Sequence, residues 1–246
     1  MRATMRSVAA HSSPYRLADH VHACHFDGQV VLLDTRRNKY LGVGGAQLAA
    51  LSRCIAGWPV TSQDQAPPAK HESLDALVKP LLDQQMLTAA STSRQPALVL
   101  DEPLESFDSW HPTQDPSNWR DLLSMAYCAS LTAVWLKKRC LAEIAISVRR
   151  LRLKEPSGQV ETNPEHMRAA VASYLRLRPF LFTAHDRCLH DSLTLVRFLA
   201  TKRLFPRWVI GVRTRPFAAH SWVQSGPIVL NDVYEHARDY TPILVI

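Results

Sequence analysis

Two blocks of strand-type sequence, one near each end of the chain, constrain the fold more than any other feature. The runs HVHACHF (20–26), QVVLLDT (29–35) and KYLGV (39–43) are separated by short polar turns, which predicts an antiparallel meander. Near the C-terminus, RWVIGVRTR, AAHSWVQ and IVLND are predicted to be three further consecutive strands. Helical sequence occupies much of the chain between the two blocks, so the expected fold class is α+β.

Two helices are predicted to follow the meander. The stretch AQLAALSRCIAG repeats apolar residues at helical spacing and is closed by Gly57. The second helix, in SLDALVKPLLDQQML, is expected to run from Leu74 to Leu87 with a single apolar stripe. Pro80 should kink this helix or divide it.

A proline-rich and acidic stretch between residues 91 and 120 shows no sustained periodicity, which indicates a boundary between domains. We place a linker at 93–116, between an N-terminal domain at 14–92 and a C-terminal domain at 117–246. The C-terminal domain is predicted to begin with helices and to continue into the antiparallel strands.

The composition is that of an ordinary globular protein, with 46% apolar and 21% charged residues. The five cysteines have no regular spacing and form no CxxC pair, and the N-terminus does not resemble a secretory signal peptide. We therefore expect free thiols in a reducing compartment, the cytosol. The longest run that contains neither charged residues nor histidine, residues 122–136, has 15 residues. A membrane span needs about 20, so this run is interpreted as a core helix.

Cys188 is the best candidate for a reactive thiol, because it opens a predicted helix whose apolar face includes Leu189 and Leu193. A thiol at a helix N-terminus feels the positive end of the helix dipole, which lowers its pKa. Asp186, just before it, can cap the free amides of the first turn. The other four cysteines are predicted to lie within helices or on a strand, where no such effect operates.

His220 and Asp232 each lie six residues from Gly226. Two strands that fold back at Gly226 would place these residues opposite each other, with Cβ atoms roughly 4.5–5.5 Å apart. If Cys188 faces His220, the three residues form a Cys-His-Asp triad, in the chain order of papain-like and transglutaminase-like enzymes. The alternative is a packed thiol and a surface ion pair. Trp222, two residues after His220 on the same face, is expected either to cover the site or to pack in the core.

Four segments of the C-terminal half carry a family resemblance: RCLHDSLTLVRFL, VIGVRTRPFAAHSWVQ, VLND and the closing YTPILVI. They resemble the transglutaminase-like leader peptidase of lasso-peptide biosynthesis, the B-protein family. This resemblance covers about residues 117–246 and implies a transglutaminase-like or papain-like fold, with Cys188 as nucleophile, His220 as base and Asp232 as orienting acid. Ser221 is a departure, since the family more often has alanine there, and its side chain is expected to point away from His220.

The same resemblance implies a function and partners. The implied activity is a cysteine endopeptidase that cleaves a ribosomally made precursor into leader and core, without a cofactor of its own. A separate asparagine-synthetase-like cyclase would then use ATP to close the core into a macrolactam, and dependence of the peptidase on this partner and its ATP is left open. The expected localisation is cytoplasmic.

The N-terminal segment is similar to the winged-helix leader-recognition domain related to the pyrroloquinoline-quinone chaperone. An exposed sheet edge can bind an extended peptide through backbone hydrogen bonds, with side-chain pockets beside it. The third strand of the meander is the candidate edge, and the second helix is the candidate groove wall. Substrate contacts are therefore predicted at Lys39, Tyr40, Leu41, Gly42, Val43, Leu74, Leu77, Val78, Leu81 and Trp222.

Other functions remain as alternatives. The same acyl-enzyme could pass its acyl group to an amine, which would make the protein a transglutaminase-like acyltransferase. A leader-binding scaffold without catalysis is the second alternative. A DNA-binding winged helix is disfavoured, because no predicted N-terminal helix carries clustered Arg and Lys, and no nucleic-acid partner is expected.

Two residue groups receive a structural interpretation. The histidines around Cys24 and Cys188, which include His185 and His190, are interpreted as ordinary strand and helix-end residues, so no metal site is predicted. The basic stretch VRRLRLK (148–154) is interpreted as a solvated helix face. Contact of this stretch with the cyclase or weak association with the inner membrane surface is the alternative.

Overall fold

The structure is a computed structural model that describes residues 14–59, 74–89, 100–107, 119–153, 164–181 and 187–246. His185, Asp186 and the side chain of Leu74 lie outside the described residues. The fold is mixed α+β, as predicted from the two blocks of strand-type sequence.

The predicted N-terminal meander is confirmed. Its strands are β2 (Val21–Phe26), β3 (Gln29–Asp34) and β4 (Lys39–Gly44), which form an antiparallel sheet in the order β2-β3-β4. Three shorter strands that the sequence analysis did not predict, β1 (Tyr15–Leu17), β5 (Ile55–Ala56) and β6 (Leu87–Ala89), form a second small sheet in the order β5-β1-β6.

The two predicted N-terminal helices are present as α1 (Ala46–Cys54) and α2 (Leu74–Asp83). The second is shorter than predicted, because residues 87–89 leave the helix and pair with β1. Pro80 lies inside α2 and does not divide it.

The two faces of the meander sheet have different neighbours, because side chains alternate along a strand. Val30, Leu32 and Val43 join the apolar core of the N-terminal helices. Val31 and Leu33 point to the opposite face, where Tyr40 packs beside them against the core of the C-terminal half. The meander therefore lies between two apolar cores and is not a free-standing surface.

Helices fill the first part of the C-terminal half. They are α3 (Trp119–Lys138), α4 (Leu141–Leu153), α5 (Pro164–Leu181) and α6 (Cys188–Thr201). Helix α6 contacts the other three and the sheet described next, and almost every residue from Asp191 to Leu199 is buried. A helix surrounded in this way is a fixed support for a residue at its first position.

The C-terminal sheet has five strands in the order β11-β8-β9-β10-β7: β7 (Glu105–Ser106), β8 (Arg207–Thr214), β9 (Phe217–Ser225), β10 (Ile228–Val229) and β11 (Thr241–Val245). Strand β7 comes from the segment predicted as the linker. The predicted strand IVLND was too long, because only its first two residues pair with β9. A short helix, α7 (Tyr234–Arg238), follows and was not predicted.

Helix α4 contains most of the basic VRRLRLK stretch. Arg149 and Arg150 are exposed, whereas Arg152 donates a hydrogen bond to the carbonyl of Phe205. Within the described ranges, every helix is too short or too polar to cross a bilayer.

Candidate active site

Cys188 is the first residue of α6, as the sequence predicted. The N-cap is Arg187, which makes no side-chain hydrogen bond to the first turn, and the predicted cap Asp186 lies outside the described residues. The first turn of a helix has free backbone N–H groups and a positive partial charge. The thiol of Cys188 therefore begins in an environment that favours its thiolate.

His220 lies on β9, and Asp232 lies in the loop between β10 and α7. His220 Nε2 and Asp232 Oδ2 are 2.5 Å apart, so the predicted pair forms. The predicted register was wrong, because Ser225 pairs with Ile228 and the turn has two central residues, Gly226 and Pro227. Asp232 reaches the imidazole from the loop after the strand and not from a position directly across the sheet.

The thiol of Cys188 is hydrogen-bonded to His220 and accepts backbone N–H groups of Ser221 and Leu189. Burial alone would raise the pKa of Cys188, but these contacts and the charge of His220 hold that pKa below the usual value of a cysteine. The structure thus brings Cys188, His220 and Asp232 together in one hydrogen-bonded chain.

The imidazole of His220 is shifted in the opposite direction. Burial acts to lower its pKa, but hydrogen bonds to Asp232 and Cys188 and the charges of both raise it to about 9. Burial would raise the pKa of Asp232, whereas its bonds to His220, His236 and the Val233 amide lower it. The three shifts together favour the arrangement in which thiolate, imidazolium and carboxylate lie side by side.

Comparison with known proteins agrees with this geometry. The sequence model of a family described as the transglutaminase-like superfamily matches residues 129–245, a range that contains the thiol, the imidazole and the carboxylate. The C-terminal part of the chain is a transglutaminase-like domain. Its central helix and antiparallel sheet are the helices-on-sheet arrangement that the family resemblance implied.

A curated relative supports the resemblance to lasso-peptide B proteins. The chain is 35% identical over 97 residues to the Microcin J25-processing protein McjB of Escherichia coli. The match covers 39% of this chain and 44% of the relative, so the chain spans less than half the length of this relative. No solved structure matches the chain significantly.

Asp232 in the transglutaminase-like domain has a second histidine neighbour that the sequence analysis missed. His236 Nδ1 lies 2.8 Å from Asp232 Oδ2, the same oxygen that faces His220. The i,i+4 spacing of Asp232 and His236 is a signal that could have revealed this contact, but it needed the short helix α7 to be predicted.

The same three side chains are a candidate metal group among the described residues. Ligand atoms of His220, Asp232 and His236 all lie within 4.8 Å of one another, a spacing that could hold an ion. An ion there would occupy the imidazole and the carboxylate that contact the thiol. The hydrogen bonds between these residues account for their proximity without a metal.

Two aromatic side chains pack against the imidazole of His220. Trp222 is fully buried and stacks on the imidazole with ring centroids 5.9 Å apart, and Tyr240 contacts it at 5.2 Å. Gly211, the residue across from His220 on β8, leaves space for these two rings, because a Cβ there would lie 2.8 Å from Trp222 and from Tyr240. Trp222 therefore supports His220 from below, and its ring is closed to solvent.

A buried polar network connects the nucleophile helix to the Asp232 loop. Asp191, three residues after Cys188, is 2% exposed and accepts hydrogen bonds from Tyr174, at 2.8 Å, and from Asn231 Nδ2, at 2.8 Å. Asn231 Oδ1 in turn accepts the Val223 amide at 2.8 Å. Asn231 precedes Asp232, so this network fixes the carboxylate relative to the helix that presents the thiol.

Ser221 contributes in a way that the sequence analysis did not predict. Its side chain points away from His220, as expected, and lies 2.7 Å from Ser192 and 2.9 Å from Trp208 Nε1 in a buried cluster. Its backbone amide contacts the thiol of Cys188. Residue 221 thus connects the sheet to α6 whatever small side chain it carries.

The structure places some of the residues predicted to bind a leader on the surface and others in the interior. Lys39, Leu41 and Gly42 lie exposed on β4, which is an edge strand of its sheet, and Leu77 is half-buried on α2. Val43, Val78 and Leu81 are buried in the N-terminal core. Tyr40 lies on the opposite face of β4 and lines a cavity beside Cys188.

Among the described residues, the remaining cysteines and histidines do not form a second site of this kind. All five cysteines are free thiols, and Cys24, Cys54 and Cys128 are buried. Burial raises the pKa of Cys24 to about 12, opposite to the shift of Cys188. His190 Nε2 lies 3.1 Å from the carbonyl of Ala129, which assigns it to packing of α6 on α3.

Proposed function

We propose that this protein is a cysteine endopeptidase that cleaves the leader from a ribosomally made lasso-peptide precursor. The observation that carries the proposal is the hydrogen-bonded chain Cys188–His220–Asp232 at the first turn of a buried helix. The transglutaminase-like domain and the similarity to a microcin-processing protein support the same conclusion.

In the first half of the reaction the Cys188 thiolate attacks the carbonyl carbon of the scissile peptide bond. The carbonyl oxygen gains negative charge, and the Cys188 backbone N–H, which has no partner within the first turn of the helix, is placed to donate to it. His220 then donates its proton to the leaving amine, and the peptide bond breaks. The product is a thioester between one part of the precursor and Cys188.

In the second half a water molecule replaces the amine. Neutral His220 withdraws a proton from the water, the hydroxide attacks the thioester, and the Cys188 thiolate leaves. Asp232 holds the imidazole in one orientation and stabilises its charged form in both halves. The starting thiolate and imidazolium are regenerated.

Recognition of the leader is assigned to the N-terminal domain at 14–92. The edge strand β4 can offer backbone groups to an extended peptide, and α2, which packs on α1, is the proposed second wall. Lys39, Leu41, Gly42 and Leu77 are the accessible members of the predicted contact set. The buried members, Val43, Val78 and Leu81, would support the groove from within.

The freed core peptide would pass to a separate asparagine-synthetase-like cyclase that consumes ATP. This assignment places both proteins in the cytoplasm, where ATP and reduced thiols are present. The proposal gives the peptidase itself no cofactor, since Cys188 supplies the nucleophile and His220 carries out every proton transfer of the two half-reactions.

Mass spectrometry of a precursor incubated with the protein tests the proposal. A suitable precursor is the product of a short neighbouring reading frame whose core begins with Gly and carries Glu or Asp several residues later. Hydrolysis predicts two fragments whose masses sum to the precursor plus one water. Transfer of the acyl part to an added amine would indicate the acyltransferase, and an intact precursor, with or without cyclase and ATP, would indicate a scaffold.

A further inference from the structure

A cavity of about 320 Å³ opens beside Cys188, between the N-terminal meander and the transglutaminase-like domain. Its apolar lining comes from both parts of the chain: Leu33 and Tyr40 from the meander, and Leu136, Ile144, Leu189 and Ile210 from the helices and strand β8. Cys188 and His220 also line it, so any group that fills the cavity lies next to the proposed reacting atoms.

The meander wall is fixed to the transglutaminase-like domain by specific contacts. Asn38 Oδ1 accepts the backbone N–H of Leu141 at 3.0 Å, and the Thr35 carbonyl accepts that of Ala142 at 2.9 Å. These two amides belong to the first turn of α4, so the turn between β3 and β4 caps that helix. The ring of Tyr40 meets the ring of Phe217 edge-on, with centroids 5.4 Å apart.

The chemistry of the lining selects for an apolar group. Among the described residues that line the cavity there is no Asp or Glu, and the guanidinium of Arg139 lies over the ring of Trp135 at 4.9 Å. The Cys188 thiolate is already paired with His220, so a basic side chain would find no free counter-ion among these residues, and burying an unpaired charge is costly. The volume is at the lower end of the range of about 300–1,000 Å³ for ligand pockets, which suits a single side chain better than an extended peptide.

We propose that this cavity is a specificity pocket that accepts one aliphatic or aromatic side chain of the substrate, from one of the two residues that precede the scissile bond. Leu33 and Tyr40 make the N-terminal domain part of this pocket, in addition to its proposed role in leader binding on the opposite side of β4. This inference rests on the proposed function, because it takes Cys188 as the nucleophile.

Acetyl-dipeptidyl vinyl sulfones with Leu, Ala, Asp or Lys at either of the two positions test the pocket without the precursor. The Cys188 thiolate adds to the vinyl carbon β to the sulfone, a new C–S bond forms, and the carbon next to the sulfone takes up one proton, so nothing leaves. The rate of labelling at Cys188, measured by peptide mapping, then reports the fit of each side chain.

The proposal predicts that Leu at one of the two positions labels Cys188 about 10- to 100-fold faster than Ala, Asp or Lys at that position, a range typical of apolar pockets. Tyr40→Ala and Ala219→Trp should each remove most of this preference, the first by opening the pocket and the second by filling it from an exposed position. Tyr40→Phe keeps the ring and should keep the preference. Lys138→Ala, an exposed change on α3, is the matched control.

Two other results have separate meanings. Equal labelling of Cys188 with all four side chains at both positions, or a preference that survives in correctly folded Ala219→Trp, would overturn the pocket while leaving the nucleophile intact. A Cys188 that reacts with none of these reagents, and with iodoacetamide no faster than Cys140, would contradict the proposed function itself.

Discussion

His236 Nδ1 lies 2.8 Å from Asp232 Oδ2, the oxygen that also faces His220 Nε2. One carboxylate oxygen therefore accepts a hydrogen bond from each of two imidazoles, since an ionised carboxylate has no proton to donate. His236 acts on the proposed chemistry through Asp232 and is a positioning residue.

Replacement of His236 separates this hydrogen bond from the rest of the side chain. His236→Leu should lower kcat/KM by about 10-fold or less, because it removes one hydrogen bond of a side chain that is 42% exposed, worth about 1 kcal/mol. It should also move the alkaline limb of the pH profile upward, since a carboxylate with one donor fewer stabilises the imidazolium of His220 more strongly. His236→Asn retains a donor near the position of Nδ1 and should restore both quantities. A pH profile unchanged in His236→Leu would assign the contact to packing alone.

The pH dependence of cleavage should be bell-shaped. Below the pKa of Cys188, which is lowered by its contacts with His220, the thiol is protonated and attack is lost. Above a pH of about 9, His220 loses its proton and can no longer protonate the leaving amine. Measurement of kcat/KM against pH checks this prediction, and an alkaline limb below pH 7 would contradict it. Iodoacetamide labelling of Cys188 should follow the acid limb.

Gly211 is predicted to be intolerant of any side chain. Gly211→Ala places a Cβ against Trp222 and Tyr240, both of which support His220. Overpacking of this kind costs about 1–3 kcal/mol of unfolding free energy, and a displaced Trp222 should also lower kcat. Denaturant unfolding and steady-state kinetics measure the two effects. Gly42→Ala, where a Cβ meets no atom within 4 Å, is the control for stability, and equal stabilities of the two variants would refute the account.

Loss of the Asp191 carboxylate should lower the unfolding free energy far more than loss of the Tyr174 hydroxyl. Asp191→Ala leaves Arg178, which lies 3.3 Å from the carboxylate, without its partner, and should cost about 3–5 kcal/mol of unfolding free energy. Tyr174→Phe removes one hydroxyl and should cost about 1 kcal/mol. Thermal or denaturant unfolding of both variants tests the order, and a larger loss in Tyr174→Phe would show that Asp191 does not hold the network together.

Local sequence signals were sufficient to predict the elements that carry the candidate site. Cys188 lies at the first position of a helix because an apolar 3.6-residue repeat begins there, and His220 lies on a β-type run that ends at the turn of Gly226 and Pro227. These two signals depend only on nearby residues. The meander was predictable for the same reason, since short turns separate its three β-type runs.

The exact route of Asp232 to His220 could not be predicted from spacing. A one-residue difference in the turn changes which residues face each other, and the chain leaves the strand after Val229. The residues that support the site could not be predicted either, because Asp191, Asn231 and Gly211 act through contacts between elements distant in sequence.

Packing of the meander against the transglutaminase-like domain was the largest feature missed. The run VVLL in β3 is apolar at every position, so apolar residues occupy both faces of the sheet. Each face therefore needs its own packing partner. The sequence identifies the need for that partner but does not state which surface supplies it.

Cleavage of the precursor by Cys188→Ala, compared with Cys140→Ala, tests the central claim most directly. Both variants remove one partly exposed thiol, and Cys140 lies in the turn between α3 and α4. The account predicts that Cys188→Ala loses cleavage by about 10³-fold or more while leader binding by fluorescence anisotropy is unchanged. Cys140→Ala should cleave at the wild-type rate. Normal cleavage by Cys188→Ala would contradict the account.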